Sequence, residues 1–278
     1  MRIARIWTGR GPRYAVVGDG MMTVTDLDGS TPTGDLIARG AFVSPTTLGG
    51  PTPIEASRLL APVERPQKIV AVGLNYLDHA SEVGRALPTD PLIFAKFPSA
   101  IIGPGQPISW STAVTHAVDF EAELAVVIGR TARNVTRNQA LDHVAFYTCL
   151  NDVTARDLQQ ADGQWVRAKS LDSFCPIGPW LVSADEIPDP SKLRISCTVS
   201  GELLQDATVA DLIFDVPELI ERISAAFTLV PGDVIATGTP PGVGWFRNPK
   251  RPLRNGDDVL VRIDGIGELR NHAVESSG

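Results

Sequence analysis

The spacing of hydrophobic and polar positions changes along the chain, and each change marks a candidate element. Tyr14-Ala15-Val16-Val17 and Met21-Met22-Thr23-Val24 flank Gly18-Asp19-Gly20. This pattern predicts a β-hairpin, because Gly and Asp tolerate positive φ. Residues 29–53 are rich in Gly, Pro, Ser and Thr and predict a loop region, too apolar in places for a free linker. Leu59 to Gln67, with Pro62 and Pro66, predicts a boundary between a small N-terminal β-rich domain, residues 1–64, and a larger one, residues 65–278. Beyond it, Lys68 to Gly73 is a short apolar run of the kind that forms a buried strand. Ala117 to Gly129 predicts a strand that begins with alternation and turns wholly apolar. Thr136 to Leu150 reads as a helix capped by Thr136 or Asn138, since Leu141, Val144, Ala145 and Thr148 recur near helical spacing. Val216 to Val230 reads as a second helix, with Ile220, Ile223, Phe227 and Val230 on one face and Pro231-Gly232-Asp233 as its stop. Val234 to Gly238 and Val259 to Ile263 predict strands. Without regular βαβ alternation, the class is α+β with a mostly antiparallel β core.

Composition narrows this picture. Hydrophobic residues make up 43% of the 278 residues and charged residues 21%, enough for a packed core and contrary to disorder. Gly 25 and Pro 22 argue against a plain helical bundle. The 25 basic and 32 acidic residues give a net charge of −7, without the basic footprint of a nucleic-acid binder or of a protein drawn to anionic membrane. Six basic and six acidic residues fall in 1–64, so the whole excess lies beyond it (19 − 26 = −7). Cys149, Cys175 and Cys197 are odd in number and far apart, which disfavours a disulfide framework or zinc ribbon. No apolar leader follows Met1, and no apolar run reaches membrane-spanning length. The expectation is a soluble, cytoplasmic protein.

Several familiar sites are missing. Gly103-Pro-Gly105, Gly242-Val-Gly244 and Gly265-Ile-Gly267 lack the third glycine of a dinucleotide fingerprint, and no P-loop, G-x-S-x-G or H-E-x-x-H occurs. What remains is carboxylate chemistry. Asp119, Glu121 and Glu123 stand at i, i+2 and i+4, so on a strand they share one face. Like charges there repel unless a cation sits among them, and a hard divalent ion is the economical candidate. A solvent-facing polar strand face is the alternative, and a further ligand from Asn151-Asp152 would decide between them. His79 and Glu82, at i and i+3, share a helix face, where a carboxylate can polarise an imidazole as general base, although surface pairs often have this spacing. Lys169 is notable only because the apolar, Pro-rich stretch Phe174 to Trp180 follows it.

Taken together and in order, these pieces resemble the fumarylacetoacetate hydrolase superfamily. The matching stretches are G-L-N-Y-x-D-H-A-x-E from Gly73, D-F-E-A-E-L-A-V-V-I-G from Asp119 and N-D-V-T-A-R-D-L-Q from Asn151. A-K-S-L-D-S-F-C-P-I-G-P-W-L from Ala168, G-D-V-I-A-T-G-T-P-P-G-V-G from Gly232 and G-I-G-E-L-R-N from Gly265 complete the set, which spans about Lys68 to Val274.

The resemblance implies a mixed β-sheet roll with peripheral helices behind a small N-terminal β-rich domain. It implies one Mg²⁺ or Mn²⁺ per chain, held by Glu121, Glu123 and Asp152. His79 and Glu82 match the family's water-activating dyad on a lid, roughly residues 76–90. Lys169 matches the cation facing the reacting carbonyl. Arg156, Gln159 and Thr239 match positions that hold the substrate, a small 2-oxo acid. Asp119 matches no ligand. Lys96, where Phe94-Ala95-Lys96-Phe97-Pro98-Ser99 departs from the family's F-x-K-P-x-S, is read as a structural or rim residue. The basic residues of the Trp245–Arg251 loop could meet a second substrate carboxylate, but are read as solvated. The expected reaction is cleavage of a 2,4-dioxo acid, of acylpyruvate or fumarylpyruvate type, to pyruvate and a carboxylic acid. The alternatives are oxaloacetate decarboxylation, isomerisation of an unsaturated 2-oxo diacid, and a silent 2-oxo acid-binding relative. A homodimer is expected, with neither nucleic acid nor membrane as partner.

Overall fold

Four apolar runs form the middle of the molecule: Ile69–Gly73, Ala122–Ile128, Val144–Asn151 and Val234–Ala236. Nearly every residue in them is buried, so none presents a polar face. Strands covered on both sides read as continuous apolar runs, and that is how these read. The computed structural model describes residues 1–277 apart from 79–81, 83 and 85.

These strands lie inside one long mixed sheet. From one edge it runs through Met21–Asp28, Pro12–Gly18, Arg2–Trp7, Cys175–Ser183, Val144–Asn151, Ala122–Ile128, Val234–Ala236 and Ile69–Gly73 to Leu92–Lys96. A second, five-stranded sheet is built from Glu202–Thr208, Arg194–Val199, Asp258–Ile263, Gly267–Ser276 and Pro107–Ser111. Most pairings are antiparallel; Val234–Ala236 with Ile69–Gly73 and Gly267–Ser276 with Pro107–Ser111 are parallel. The mixed-sheet fold class is as the sequence indicated.

Alternate residues of each central strand serve two different cores. Leu124, Val126 and Ile128 pack with Ile195, Cys197 and Val261 of the second sheet. Ala125 and Val127 point into a separate cluster with Ile3, Tyr14, Leu36 and Phe42 from the N-terminal stretch. Arg2–Trp7 also pairs directly with Cys175–Ser183. The passage expected to be loop carries a short helix, Thr33–Ala38, which buries Leu36.

The predicted helix over Thr136–Leu150 is corrected. Arg137–His143 is a 3₁₀ turn, and Val144–Asn151 is a strand between Ala122–Ile128 and Cys175–Ser183. The helical spacing of Leu141, Val144, Ala145 and Thr148 was outweighed by the V-A-F-Y-T-C-L run, whose β-branched and aromatic side chains suit a strand buried on both faces. The second predicted helix forms over Val216–Ala226 and ends one turn early, leaving Phe227 exposed. Asp215 caps it by accepting the Glu218 N–H at 3.0 Å. Among the described residues, no helix is long and apolar enough to cross a membrane.

Leu124 is fully buried between the two sheets. Leu124→Ala should therefore lower the unfolding free energy by about 3 kcal/mol in urea titrations. A loss below about 1 kcal/mol would mean that this layer is not tightly packed.

Candidate active site

Register places the acids. Ala122 pairs with Asn151, so Glu121, just before one strand, meets Asp152, just after its neighbour. The contact is locked by Asp152 N–H to the Glu121 carbonyl at 2.8 Å and Glu121 N–H to Asn151 Oδ1 at 2.9 Å. Glu123 follows on the same strand as Ala122, and Glu121, Glu123 and Asp152 each bring one carboxylate oxygen within 4.8 Å of the others. All three are buried, which rules out the solvated strand face.

Asp119 stands apart from this trio. The strand is interrupted at Phe120-Glu121, and Val118–Asp119 pairs instead with Thr154–Ala155. The expectation that three acids share one strand face therefore fails for Asp119. Its carboxylate accepts the N–H groups of Gly244 at 2.8 Å and Trp245 at 3.0 Å, and pairs with Arg156 Nε at 2.9 Å.

Three buried cations surround the acids. Lys169 Nζ lies 2.6 Å from Glu121 Oε2 and 2.7 Å from Asp152 Oδ2. Arg156 spans Asp119 and Glu121, its Nη2 being 2.7 Å from Glu121 Oε1. Lys96, read from sequence as structural or rim, is buried in the centre, with Nζ 2.6 Å from Asp152 Oδ1. It also donates to the Lys169 carbonyl, so one ammonium holds a carboxylate and the backbone of the neighbouring lysine. The sequence signal for Lys96 is the F-x-K of Phe94-Ala95-Lys96, at the end of the half-apolar run Leu92 to Lys96.

The electrostatics follow from burial. Desolvation raises the Glu123 carboxyl well above the usual carboxylate range, and the nearby Asp152 and Glu121 charges push it further. Burial also raises Asp119, against the opposing pull of Arg156. Burial pulls the Lys169 ammonium down, but Asp152 and Glu121 outweigh it and the net direction is up. Four buried carboxyl groups face three buried cations among the described residues. The all-carboxylate donor set, with one oxygen from each of Glu121, Glu123 and Asp152 within 4.8 Å of the others, fits a hard divalent cation.

Backbone shape around the acids is demanding. Gly238 N–H donates to Glu123 Oε2 at 2.8 Å from a φ of +104°, and a Cβ there would lie 2.7 Å from that of Asn75. Thr239 Oγ1 donates to the Ala122 carbonyl at 3.0 Å and accepts from Gln205 Nε2 at 2.8 Å. Gln205 Oε1 in turn accepts the Ala122 N–H at 3.0 Å. This buried amide, absent from the sequence reading, ties the loop after Val234–Ala236 to the start of the acidic strand.

A cavity of about 650 Å³ opens beside these groups, lined by Glu121, Arg156, Gln159, Lys169 and Thr239 among others. Arg156 and Gln159 share a face of the Arg156–Asp162 helix, where Arg156 Nη1 meets Gln159 Oε1 at 3.0 Å. Glu82 Oε1 accepts the Gly242 N–H at 3.0 Å. His79 lies outside the described residues, and with it the expected His79–Glu82 helix face.

The raised Glu123 carboxyl yields a stability prediction. A carboxyl that holds its proton more tightly when folded stabilises the fold at low pH, and that contribution is lost as pH rises through its raised folded value. Chelator-treated protein should therefore lose stability as pH climbs above the ordinary carboxylate range, with thermal melting as the readout. Mn²⁺ should suppress that loss. A melting profile unchanged by Mn²⁺ would count against the acidic trio as a metal site.

Comparisons with known proteins place the chain in a family. The model of the fumarylacetoacetate (FAA) hydrolase C-terminal family matches residues 68–274. Protein Rv2993c of Mycobacterium tuberculosis is 45% identical over 274 residues, 99% of this chain and 98% of that protein. Oxaloacetate tautomerase FAHD2B of Bos taurus is 46% identical over 217 residues, 77% of this chain and 69% of that protein. Among solved structures, 5-carboxymethyl-2-hydroxymuconate delta-isomerase from Mycobacterium smegmatis superposes with a TM-score of 0.82 at 40% identity, covering 99% of this chain and 100% of that one. Maleylpyruvate hydrolase from Sphingobium sp. SYK-6, solved with manganese(II) and pyruvate, gives a TM-score of 0.79 at 33% identity, covering 100% of both chains. The chain belongs to the fumarylacetoacetate hydrolase family, whose members include hydrolases, isomerases and tautomerases.

Proposed function

We propose that this protein is a divalent-metal-dependent enzyme that cleaves the C3–C4 bond of a 2,4-dioxo acid to pyruvate and a carboxylic acid. The observation that carries this reading is the Lys169 ammonium, at the cavity and within 2.7 Å of two members of a buried carboxylate trio. Glu121, Glu123 and Asp152 would hold Mg²⁺ or Mn²⁺, which when bound supplies Lewis-acid polarisation to a 2-oxo group.

The chain's own groups have separable tasks. Arg156, Gln159 and Thr239 orient the acid end of the substrate. Glu82 steadies His79, which removes a proton from water so that the water oxygen attacks C4. Lys169 stabilises the negative charge that develops on the C4 oxygen. The C3–C4 bond then breaks, its electron pair passes to C3 as the enolate of pyruvate, and C4 leaves as the new carboxylic acid. Protonation at C3 completes the balance.

Keto–enol tautomerisation of oxaloacetate is the second reading, favoured by 46% identity to the bovine oxaloacetate tautomerase. It needs proton movement but no attacking water. The two part at His79. With acetylpyruvate and Mn²⁺, His79→Ala should lower pyruvate release at least 100-fold, within the usual span for general-base loss. Glu121→Ala should abolish both pyruvate release and enol turnover. If the unaltered protein cleaves no acylpyruvate yet tautomerises oxaloacetate, the hydrolase reading is wrong and the second one stands.

A further inference from the structure

The geometry points to a substrate whose far end is neutral and apolar, an aryl or long alkyl acyl group and not a second carboxylate. This rests on the 2,4-dioxo acid reading and assigns the residues that select the acyl group. The cavity walls are aromatic where the charged floor ends. Phe94 and Trp165 line one side, packed edge to face with ring centroids 5.2 Å apart, and Trp245 and Phe246 line another. Lys169 Nζ is 5.2 Å from the Phe94 centroid, and Arg156 Cζ is 5.5 Å from that of Phe246. A group extending from the charged floor therefore meets ring surface at once.

The Trp165 wall is built into the backbone. A Cβ at residue 73 would fall 2.5 Å from Trp165 Cζ3, so the indole seats against the Ile69–Gly73 strand only because residue 73 is glycine. The backbone at Gly73 is not in the left-handed region, so the need there is for space.

Charge points the same way. Among the described residues lining the cavity, Arg156 and Lys169 carry the positive charge, and both are already engaged with carboxylates. Gln160 and Gln164, which also line it, are neutral. The basic loop beyond Phe246 does not line the cavity: Lys250 Nζ sits 3.4 Å from the Trp245 ring centroid, and Arg247 donates to the Leu204 and Gly242 carbonyls. Among the described residues lining the cavity, none beyond Arg156 and Lys169 offers a distal carboxylate a counter-charge, and ring faces are negative. An aryl or alkyl group gains burial and ring contacts instead. The volume agrees, since about 650 Å³ lies in the range that encloses a drug-sized ligand, roughly 300–1,000 Å³.

The test compares substrates and ligands on the full Mn²⁺-loaded chain. Benzoylpyruvate and hexanoylpyruvate should be cleaved with kcat/KM at least tenfold above fumarylpyruvate. Trp165→Ala should reduce the benzoylpyruvate-to-acetylpyruvate ratio of kcat/KM at least tenfold, mainly through KM, and Trp165→Phe should recover most of it. Trp165→Arg should move the preference toward fumarylpyruvate. Preference of the unaltered protein for the diacid, or an equal loss on every substrate in Trp165→Ala, overturns the inference. Calorimetry separates this from the reaction itself. Tighter binding of 4-phenyl-2-oxobutanoate than of 2-oxoglutarate, with no substrate cleaved, keeps the aromatic subsite and removes the hydrolase reading. Equal, weaker or absent binding of the phenyl ligand overturns the subsite.

Discussion

Four carboxylates buried at one point impose the strongest constraint on this structure. An uncompensated charge in a protein interior costs several kcal/mol, so Asp119, Glu121, Glu123 and Asp152 require close partners. Lys96, Arg156 and Lys169 supply three of them from separate segments of the chain. Backbone N–H groups of Gly238, Gly244 and Trp245 supply more. Glu121, Glu123 and Asp152 still bring their oxygens within 4.8 Å of one another, which is why the cluster reads as a candidate metal centre and not as a self-contained ion-pair network.

The layered strands make such a cluster possible. Because alternate side chains of Ala122–Ile128 face two different cores, that strand is clamped from both sides. Its first residues, and the last of Val144–Asn151, therefore hold their acids on a rigid support. The groups that line the cavity beside them come from other elements. Arg156 and Gln159 stand on the Arg156–Asp162 helix, Lys169 ends the Val166–Lys169 turn, and Trp165 precedes it. The candidate metal ligands thus sit at the ends of paired strands, and the other cavity-lining groups sit on helices and loops.

Legibility differed from residue to residue. Glu121 and Glu123 were visible because acids two apart in an apolar run are conspicuous, and Asp152 because Asn151-Asp152 closed the matching motif. The hairpin and the buried 69–73 strand followed from Gly punctuation and apolar runs. The segment Thr136–Leu150 was misread because residues such as Leu141, Val144, Ala145 and Thr148 at helical spacing look alike whether they line a helix or fall in a two-sided strand. Asp119 was grouped with the trio because spacing does not reveal where a strand breaks. Lys96 was read as structural or rim because its motif departs from the family's, and only the position of Asp152, 56 residues later, makes it a buried counter-ion.

By itself the sequence determined the class of fold, the identity of the acidic trio and the family, since these depend on local spacing and on ordered motifs. Tertiary structure decided which charges meet. Strand register set Glu121 beside Asp152, the break at Phe120-Glu121 turned Asp119 to Arg156, and burial brought Lys96 into the centre. Electrostatic pairing depends on distance and on the loss of water, and neither is written in residue order. The aromatic walls have the same origin, because Trp165 meets the bare backbone of Gly73 only in the folded chain.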